Sequence, residues 1–224
     1  MTFSPLRSAA ALIAVTALSL LLPGVGAAAA APEARSNWSL EFKGGRFFPE
    51  IDNWSTYYGD NKTSHIAGTL AYKLFRQMEV GIEAGMIKDK GRGFAPTNNI
   101  VTGNVEYRLY PASAFLLLRG VFSDRQWLAP YAGGGYTRMF YREKIEGQGK
   151  VRGSAGGYYY RAGIQILLDG ADRSAANNLF MDFGINHTWL FIEYQRSTAD
   201  ANTITGTTVD LGGKSYLAGL LFEF

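Results

Sequence analysis

The last nine residues of the chain, Tyr216 to Phe224, alternate between two chemically different faces. Successive side chains of a strand point to opposite sides of a sheet, so this pattern predicts an amphipathic β-strand. Such a strand fits a soluble sandwich, with its apolar face in a core, or a membrane barrel, with that face in lipid. Its second face is mixed and includes Glu223. The apolar face consists of Tyr216, Ala218, Leu220, Phe222 and Phe224.

The first 30 residues have the three parts of a secretory signal peptide. Arg7 supplies a positive region, residues 9–22 form an apolar run, and Ala27 to Ala31 offer small residues for cleavage. The apolar run is shorter than the roughly 20 residues that a membrane-spanning helix needs. We therefore expect residues 1–30 to be a cleaved signal peptide and residues 31–224 to form one domain. The alternative is an uncleaved N-terminal anchor.

The composition narrows the classes of protein to which the exported chain can belong. Loss of Arg7 changes the formal charge from +3 to +2, which argues against a nucleic-acid partner. The chain has no cysteine, so a disulfide framework and a lipoprotein anchor are both excluded. Its 27 Gly, 13 Tyr and 14 Phe favour an all-β fold. An exported all-β chain with alternating segments is typical of the bacterial outer membrane.

Seven segments before the terminal one also alternate between apolar and polar residues. Long polar loops follow the odd-numbered segments and shorter connections follow the even-numbered ones, as an up-and-down membrane barrel requires. The predicted loops are residues 49–64, 88–98, 143–155 and 196–213. The predicted strands are residues 38–48, 66–74, 78–86, 100–110, 127–141, 158–168, 188–194 and 216–224.

Two segments depart from the alternation. In residues 111–126 the run Phe115 to Leu118 is continuously apolar, which fits a short interfacial helix, an irregular turn or an edge of strand pairing. Residues 169–178 form a long predicted turn. After it, Asp182 and Asn186 are out of phase with the seventh strand, which predicts either a bulge near His187 or a separate short element at residues 179–185.

The signal peptide, the alternating segments and the terminal Tyr-x-x-x-x-x-Phe-x-Phe motif resemble the small outer-membrane β-barrel proteins of the OmpA, OmpX and OmpW type. The resemblance covers nearly the whole mature chain as an architecture. It implies a closed, antiparallel, porin-like barrel of about eight strands in the outer membrane of a Gram-negative bacterium. In those proteins the terminal strand serves as a recognition signal for the barrel-assembly machinery. The resemblance implies this role for Tyr216, Phe222 and Phe224.

Charged residues of both signs fall on the predicted inner face. An eight-stranded barrel has an interior just wide enough for side chains, so these charges are expected to pair as a structural plug. The alternative is a narrow conduit or ligand cavity, lined by the same charges and by Tyr136 and Tyr159. The predicted lumen residues are Glu41, Lys43, Glu79, Glu83, Glu106, Arg108, Arg138, Arg161 and Glu193.

Cations concentrate in the second and third predicted loops. If these loops face outward, their ammonium and guanidinium groups suit the phosphates of lipopolysaccharide. The alternative is a solvated loop surface without a specific ligand. The candidate lipopolysaccharide contacts are Lys88, Lys90, Arg92, Lys144, Lys150 and Arg152.

The sequence offers little support for an enzyme. It contains two histidines, His65 and His187, and neither begins a metal-binding motif. We expect a monomeric, non-enzymatic protein without metal or cofactor, with a structural or surface-interaction role through its loops. Its expected partners are outer-membrane lipid, lipopolysaccharide and, during biogenesis, the assembly machinery. The alternatives are a narrow channel or carrier for small or hydrophobic solutes, and a lipid A-modifying enzyme that brings His187 beside a serine of another strand.

Overall fold

The computed structural model of the protein describes residues 37–51, 54–94, 101–123, 126–145, 149–202 and 208–224. The predicted signal peptide, residues 1–30, lies outside these ranges.

Within the described residues the fold is almost entirely β-sheet. Two short helices, α1 (Trp54–Tyr58) and α2 (Arg173–Phe183), lie in connections between strands. The strands are β1 (Trp38–Pro49), β2 (Thr63–Phe75), β3 (Met78–Phe94), β4 (Val101–Arg119), β5 (Leu128–Ile145), β6 (Gly149–Leu167), β7 (His187–Asn202), β8 (Thr208–Asp210) and β9 (Gly213–Glu223).

The sheet closes on itself and forms an eight-stranded antiparallel barrel. Strands β1 to β6 pair in sequence order, β6 pairs with β7, β7 with β9, and β9 with β1. The three-residue β8 pairs with the far end of β7. At the seam, the backbones of Trp38 and Phe224 exchange two hydrogen bonds of 3.3 and 2.9 Å. The predicted closed barrel is therefore confirmed, with its first and last strands paired.

The two ends of the barrel differ in their connections. At one end, named here the turn end, lie residues 37 and 224 and the connections β2–β3, β4–β5 and β6–β7. The opposite end, named the hairpin end, carries the connections β1–β2, β3–β4, β5–β6 and β7–β9. At the hairpin end the strands β3 to β7 reach well into the segments predicted as loops.

The outer face is an apolar belt bounded by aromatic residues. Water-soluble proteins rarely expose continuous apolar surface of this extent, whereas a barrel in lipid requires it. Toward the turn end the rings of Trp38 and Tyr72 lie 5.1 Å apart. Toward the hairpin end Tyr194 lies between Tyr160 and Tyr216, at 6.5 and 5.4 Å. Exposed aliphatic side chains between these levels include Leu70, Ile82, Ile164, Ile192 and Leu220.

Strand β4 corrects the interpretation of residues 111–126. It runs to Arg119, so residues 111–119 belong to the sheet. The run Phe115 to Leu118 fails to alternate because both of its faces are apolar: Phe115 and Leu117 are buried inside, while Leu116 and Leu118 are exposed on the belt. Only residues 120–127 remain as the connection to β5.

Helix α2 corrects the prediction of a long turn at residues 169–178. Asp172 caps its first turn by accepting a hydrogen bond from the backbone N–H of Ala175, and Gly184 ends it in the left-handed conformation. Strand β7 begins at His187, so the out-of-phase residues before it belong to the helix and its C-terminal connection rather than to a bulged strand. Among the residues that the structure describes, no helix is long and apolar enough to cross a membrane.

Candidate functional site

The centre of the barrel holds two cations among three carboxylates. The Arg161 guanidinium lies 2.7 Å from Glu41 and 2.5 Å from Glu193. Lys43 Nζ lies 2.5 Å from Glu83 and 2.8 Å from the same Glu193. All five side chains are almost completely buried, so the two cations are stabilised by close carboxylates instead of water. We name these five residues the central cluster.

Neutral donors support the carboxylates of the central cluster. The Tyr131 hydroxyl donates to Glu193 over 2.7 Å, and the Gln195 amide donates to both Glu83 and Glu193. The rings of Phe115 and Tyr131 lie 5.2 and 5.5 Å from the Arg161 guanidinium carbon, within cation–π range. Because the cluster has one carboxylate more than it has cations, these donors help to stabilise the excess negative charge.

A second buried ionic group lies at the turn end. Arg119 Nη1 is 2.7 Å from Glu79 and 2.5 Å from Glu223, and Lys73 Nζ is 2.6 Å from Glu223. The Arg119 guanidinium also faces the Trp189 ring at 5.3 Å. The two cations and two carboxylates of this group balance in charge, which favours their pairing in a space that excludes most water.

An apolar plug closes the lumen toward the hairpin end. Helix α1 places Trp54 against Tyr107, with ring centres 5.1 Å apart, and stacks Tyr58 on Trp54 at 4.0 Å. Burial, and after it the nearby Glu143, raise the pKa of Tyr58 above its usual range, so its hydroxyl stays protonated. The buried residues of this plug are Phe47, Trp54, Ile87, Tyr107, Leu109, Met139, Ala155, Ala199, Ala201 and Leu211.

The structure places six of the nine predicted lumen residues inside the barrel and corrects the other three. Glu106, Arg108 and Arg138 lie on the outer face, because the odd-numbered residues point inward from Val105 to Arg119 on β4 and from Ala129 to Glu143 on β5. Tyr136, a predicted conduit residue, is likewise exposed outside, whereas Tyr159 is buried inside. The six inner residues are Glu41, Lys43, Glu79, Glu83, Arg161 and Glu193.

The error at Glu106 and Arg108 has a physical reason. The prediction assigned apolar residues to the outside, which holds only where the outside is lipid. Beyond the apolar belt the surroundings are polar and the lumen is filled by the plug, so the pattern is inverted there. Val105, Tyr107 and Leu109 accordingly point inward.

Three ionic residues of the lumen were missing from the prediction. Arg119 lay in the unassigned segment, and the odd-numbered phase of Phe115 and Leu117 would have placed it inside. Lys73 and Glu223 lay on the polar faces of predicted strands, so the phase of alternation would have placed them inside as well. Alternation alone identifies such residues once the phase of the strand is known.

The outward-facing cations of β3 to β6 form one continuous surface. Cross-strand partners run from Lys88 to Arg108, from Arg108 to Arg142, and from Arg142 to Arg152. A second row toward the hairpin end joins Lys90, Glu106, Lys144 and Lys150. We name the seven cations of these two rows the cationic surface. Glu106 lies within it, 3.3 Å from Lys88 and 2.7 Å from Arg108.

Most of the cations predicted to contact lipopolysaccharide belong to this surface. Lys88, Lys90, Lys144, Lys150 and Arg152 are exposed, and Glu106, Arg108, Arg142, Lys144 and Lys150 line a shallow depression. The side chain of Arg92 lies outside the described part of the structure. Arg108 is an addition to this surface, and its spacing of two residues from Glu106 was the available signal.

The surface lies beyond the apolar belt. Between Leu128 and Arg142, β5 rises roughly 35 Å along the barrel axis if each residue adds about 3.4 Å and the strand tilts by about 40°. The apolar band of an outer-membrane barrel is about 25 Å tall. The cationic surface is therefore at the height of headgroups or just above them, next to the exposed rings of Tyr110 and Phe140.

The residues of the enzyme hypothesis are not arranged as an accessible site. His65 Nδ1 lies 2.9 Å from Ser215 Oγ, but both residues are buried in the lumen. His187 Nδ1 lies 2.7 Å from Asp169 and contacts no serine in the described hydrogen bonds. Among the described residues no group of three or more acidic or histidine side chains could hold a metal ion.

The three residues of the predicted assembly signal lie on the outer face of β9 and at the seam. Tyr216 and Phe224 are exposed and Phe222 is partly exposed. This placement makes them accessible from the membrane side of the barrel.

Comparison with known proteins places this architecture in context. The family model described as "Outer membrane protein beta-barrel domain" matches residues 17–212. Neisserial surface protein A superposes with a TM-score of 0.56 at 12% identity, over 86% of this chain and 100% of that chain. The outer membrane protein OprG from Pseudomonas aeruginosa gives 0.54 at 12% identity, over 85% and 97%. No curated protein sequence matches the chain significantly. At these identities the structural likeness concerns the fold alone.

Proposed function

The chain belongs to the outer-membrane protein β-barrel family, and from this premise we propose that it is a closed, non-enzymatic barrel with a surface-interaction role. Its ligands are the phosphate groups of lipopolysaccharide, and the cationic surface is the site that binds them. The single observation that carries the proposal is the pair of cross-strand rows from Lys88 to Arg152, exposed beyond the lipid-facing belt.

Membership of this family implies the outer membrane of a Gram-negative bacterium. In such barrels the short turns face the periplasm and the longer loops face the exterior. Together with the strand extensions beyond the apolar belt, the connections of the hairpin end form the longer loops, so the hairpin end faces the cell surface and the turn end the periplasm. This orientation brings the cationic surface to the outer leaflet, where lipopolysaccharide carries its phosphates.

The chemistry of the surface suits phosphate. Arginine presents a planar fork that binds phosphate oxygens in pairs, and lysine adds point charges beside it. Arg108, Arg142 and Arg152 are cross-strand neighbours, so one phosphate can contact guanidinium groups of two strands. Glu106 neutralises part of the charge and holds Arg108 in place through two hydrogen bonds of 3.0 and 2.7 Å.

The filled lumen supports a surface role over a transport role. The central cluster, the ionic group around Arg119 and the apolar plug occupy successive levels of the interior, and their side chains are nearly all buried. A solute would have to separate several of these contacts to pass. We therefore place the ligand-binding site of the proposal at the hairpin end rather than in the lumen. Separately, we propose that the assembly machinery contacts the outer face of β9 and Phe224.

Binding of lipopolysaccharide by charge-neutralised variants tests the proposal. The purified barrel is reconstituted in phospholipid vesicles and titrated with lipid A in its phosphorylated and dephosphorylated forms. The double variant Arg142→Gln/Lys144→Gln should bind phosphorylated lipid A more weakly, and the difference should shrink at high salt because exposed charges are screened. Arg76→Gln, which removes a cation at the turn end, is the matched control.

Two outcomes count against the proposal. Equal binding of the two forms of lipid A would show that phosphate is not what the barrel recognises. Equal losses in the double variant and in the Arg76→Gln control would show that the cationic surface has no special part in binding.

A further inference from the structure

Helix α2 presents an apolar face that the rest of the described structure leaves largely exposed. On a helical projection Ala176, Leu179, Phe180 and Phe183 share one side, and Ser174, Asn178 and Asp182 lie opposite, together with one exposed apolar residue, Met181. None of the eleven helix residues is buried. Phe180 and Phe183 are 53% and 69% exposed, which is unusual for two aromatic side chains on a well-formed helix.

Both ends of α2 are fastened to the rim of the barrel. Before the helix, the Asp169 carboxylate accepts a hydrogen bond from the backbone N–H of Thr188 over 2.9 Å. After it, the backbone N–H of Asn186 donates to the carbonyl of Glu223 over 2.7 Å. The connections between these anchors and the helix are short. A helix of eleven residues is about 16 Å long, so α2 is held close to the turn end and cannot extend far from it.

Apart from its caps and its two anchors, little in the described structure stabilises α2. Isolated helices shorter than about 12–15 residues are marginal in water even in favourable sequences. The caps at Asp172 and Gly184 help, but two asparagines in its middle are poor helix formers. An amphipathic helix of this length is normally stabilised by an apolar phase against its apolar face.

The lipid-facing belt ends directly beside this helix. The helix connects β6 to β7, whose exposed outer residues nearest the turn end are Ile166 and Leu190. Exposed aromatic rings of Phe122 and Trp127 mark the same rim in the neighbouring β4–β5 connection. The apolar surface of the belt therefore continues toward the place where α2 is anchored.

We propose that α2 is an interfacial helix that lies in the periplasmic headgroup region of the outer membrane, with Leu179, Phe180 and Phe183 in contact with the acyl chains. Helices of this kind bind through buried apolar area and, when they are basic, through anionic lipid. The only charged residues of α2 are Arg173 and Asp182, which balance. The contact consequently depends on apolar burial and is insensitive to the charge of the lipid.

The absence of cysteine from the chain makes a direct test possible. Single variants Phe180→Cys, Phe183→Cys, Asn178→Cys and Ser174→Cys carry a nitroxide spin label in the full-length barrel, reconstituted in phosphatidylcholine vesicles. Collisions with oxygen, which concentrates in lipid, are compared with collisions with a water-soluble nickel chelate. Ile192→Cys, in the middle of the belt, reports whether the barrel has inserted.

The proposal expects opposite behaviour on the two faces of the helix. Labels at 180 and 183 should collide more with oxygen than with nickel, and labels at 174 and 178 should show the reverse. Adding anionic phosphatidylglycerol should leave these ratios unchanged.

Two results overturn the proposal. Nickel access at all four positions would mean that the helix lies in water. Exclusion of both reagents at 180 and 183, with spin–spin broadening that grows with protein concentration, would mean that a second copy covers the face. An aqueous label at Ile192→Cys would instead refute the membrane insertion on which the proposed function also depends, so the two failures are distinguishable.

Discussion

Lys43 Nζ and Glu193 Oε1 lie 2.8 Å apart although 150 positions separate the two residues in the chain. One is on β1 and the other on β7, with β9 between them in the sheet. The contact therefore spans the inner face of β9. Ion pairs of this kind connect strands that share no backbone hydrogen bonds, which makes the interior a second source of closure besides the seam.

Loss of the Arg161 cation should strongly destabilise the barrel. The substitution Arg161→Met keeps most of the side-chain volume but leaves Glu41 and Glu193 without their closest cation. Breaking a buried pair by removal of one partner costs about 3–5 kcal/mol. Unfolding by guanidinium chloride in detergent, followed by tryptophan fluorescence, measures the change in the free energy of unfolding. Arg152→Gln on the outer face is the control and should change stability by no more than about 0.5 kcal/mol; similar losses in both variants would contradict the role of burial.

Glycine at position 81 should be required by the packing around Phe115. A Cβ at Gly81 would lie 2.6 Å from the Phe115 ring, which in turn faces Arg161. We expect Gly81→Ala to destabilise the protein by about 1–3 kcal/mol through overpacking. Gly68→Ala, on the outer face of β2 with its nearest atom 3.7 Å away, is the matched control. The unfolding midpoints of the two variants are measured in the same detergent. Equal shifts of the midpoint in Gly81→Ala and Gly68→Ala would refute the packing argument.

Removal of the Trp54 ring should open the hairpin end without unfolding the barrel. Trp54 is buried between Tyr58 and Tyr107, and truncation of a buried tryptophan typically costs about 3–5 kcal/mol. We expect Trp54→Ala to increase amide hydrogen exchange in α1 while leaving the exchange of β1 and β9 unchanged. Ser55→Ala, an exposed neighbour, should have no such effect. Unchanged exchange of α1 in Trp54→Ala would show that this ring does not hold the plug together.

A filled lumen should not conduct ions. In planar bilayers the refolded protein should give no discrete openings, because the side chains of the plug and of the two ionic groups are nearly all buried against one another. Reproducible openings whose size changes in Glu83→Gln, with Arg138→Gln as an outer-face control, would favour the narrow-channel alternative. Glu83 is suited to this test because Lys43, Arg161, Gln195 and Thr69 all contact it.

The sequence predicted the barrel well because lipid imposes a strict rule on the strands that it surrounds. Strand β9 and the residue after it show this: Tyr216, Leu220 and Phe224 were expected outside, and they lie there. The same rule failed for Glu106 and Arg108, which lie beyond the lipid, where no apolar phase dictates which side of the strand is polar. Knowledge of the height of a residue was needed there, and alternation alone does not contain it.

The partners of the buried charges were also beyond sequence reasoning. Glu83 and Glu193 were expected in the lumen, but their shared contacts with Lys43 depend on the register of strands that are distant in the chain. Helix α2 is a different case. Its capping residues, Asp172 and Gly184, were visible in the sequence, and a helical interpretation of residues 173–183 was available from them.

Strand β4 keeps its odd-numbered residues inward from Arg119 to Val105, through lipid and beyond it. The hairpins above the membrane are therefore continuous extensions of the barrel wall rather than separate loops. In the absence of a β-bulge, such a wall can change length only in steps of two residues per strand, because a single insertion would turn Arg108 and Glu106 into the plug and Tyr107 into water. Regular strands therefore raise or lower the cationic surface above the membrane by about 7 Å of strand at a time.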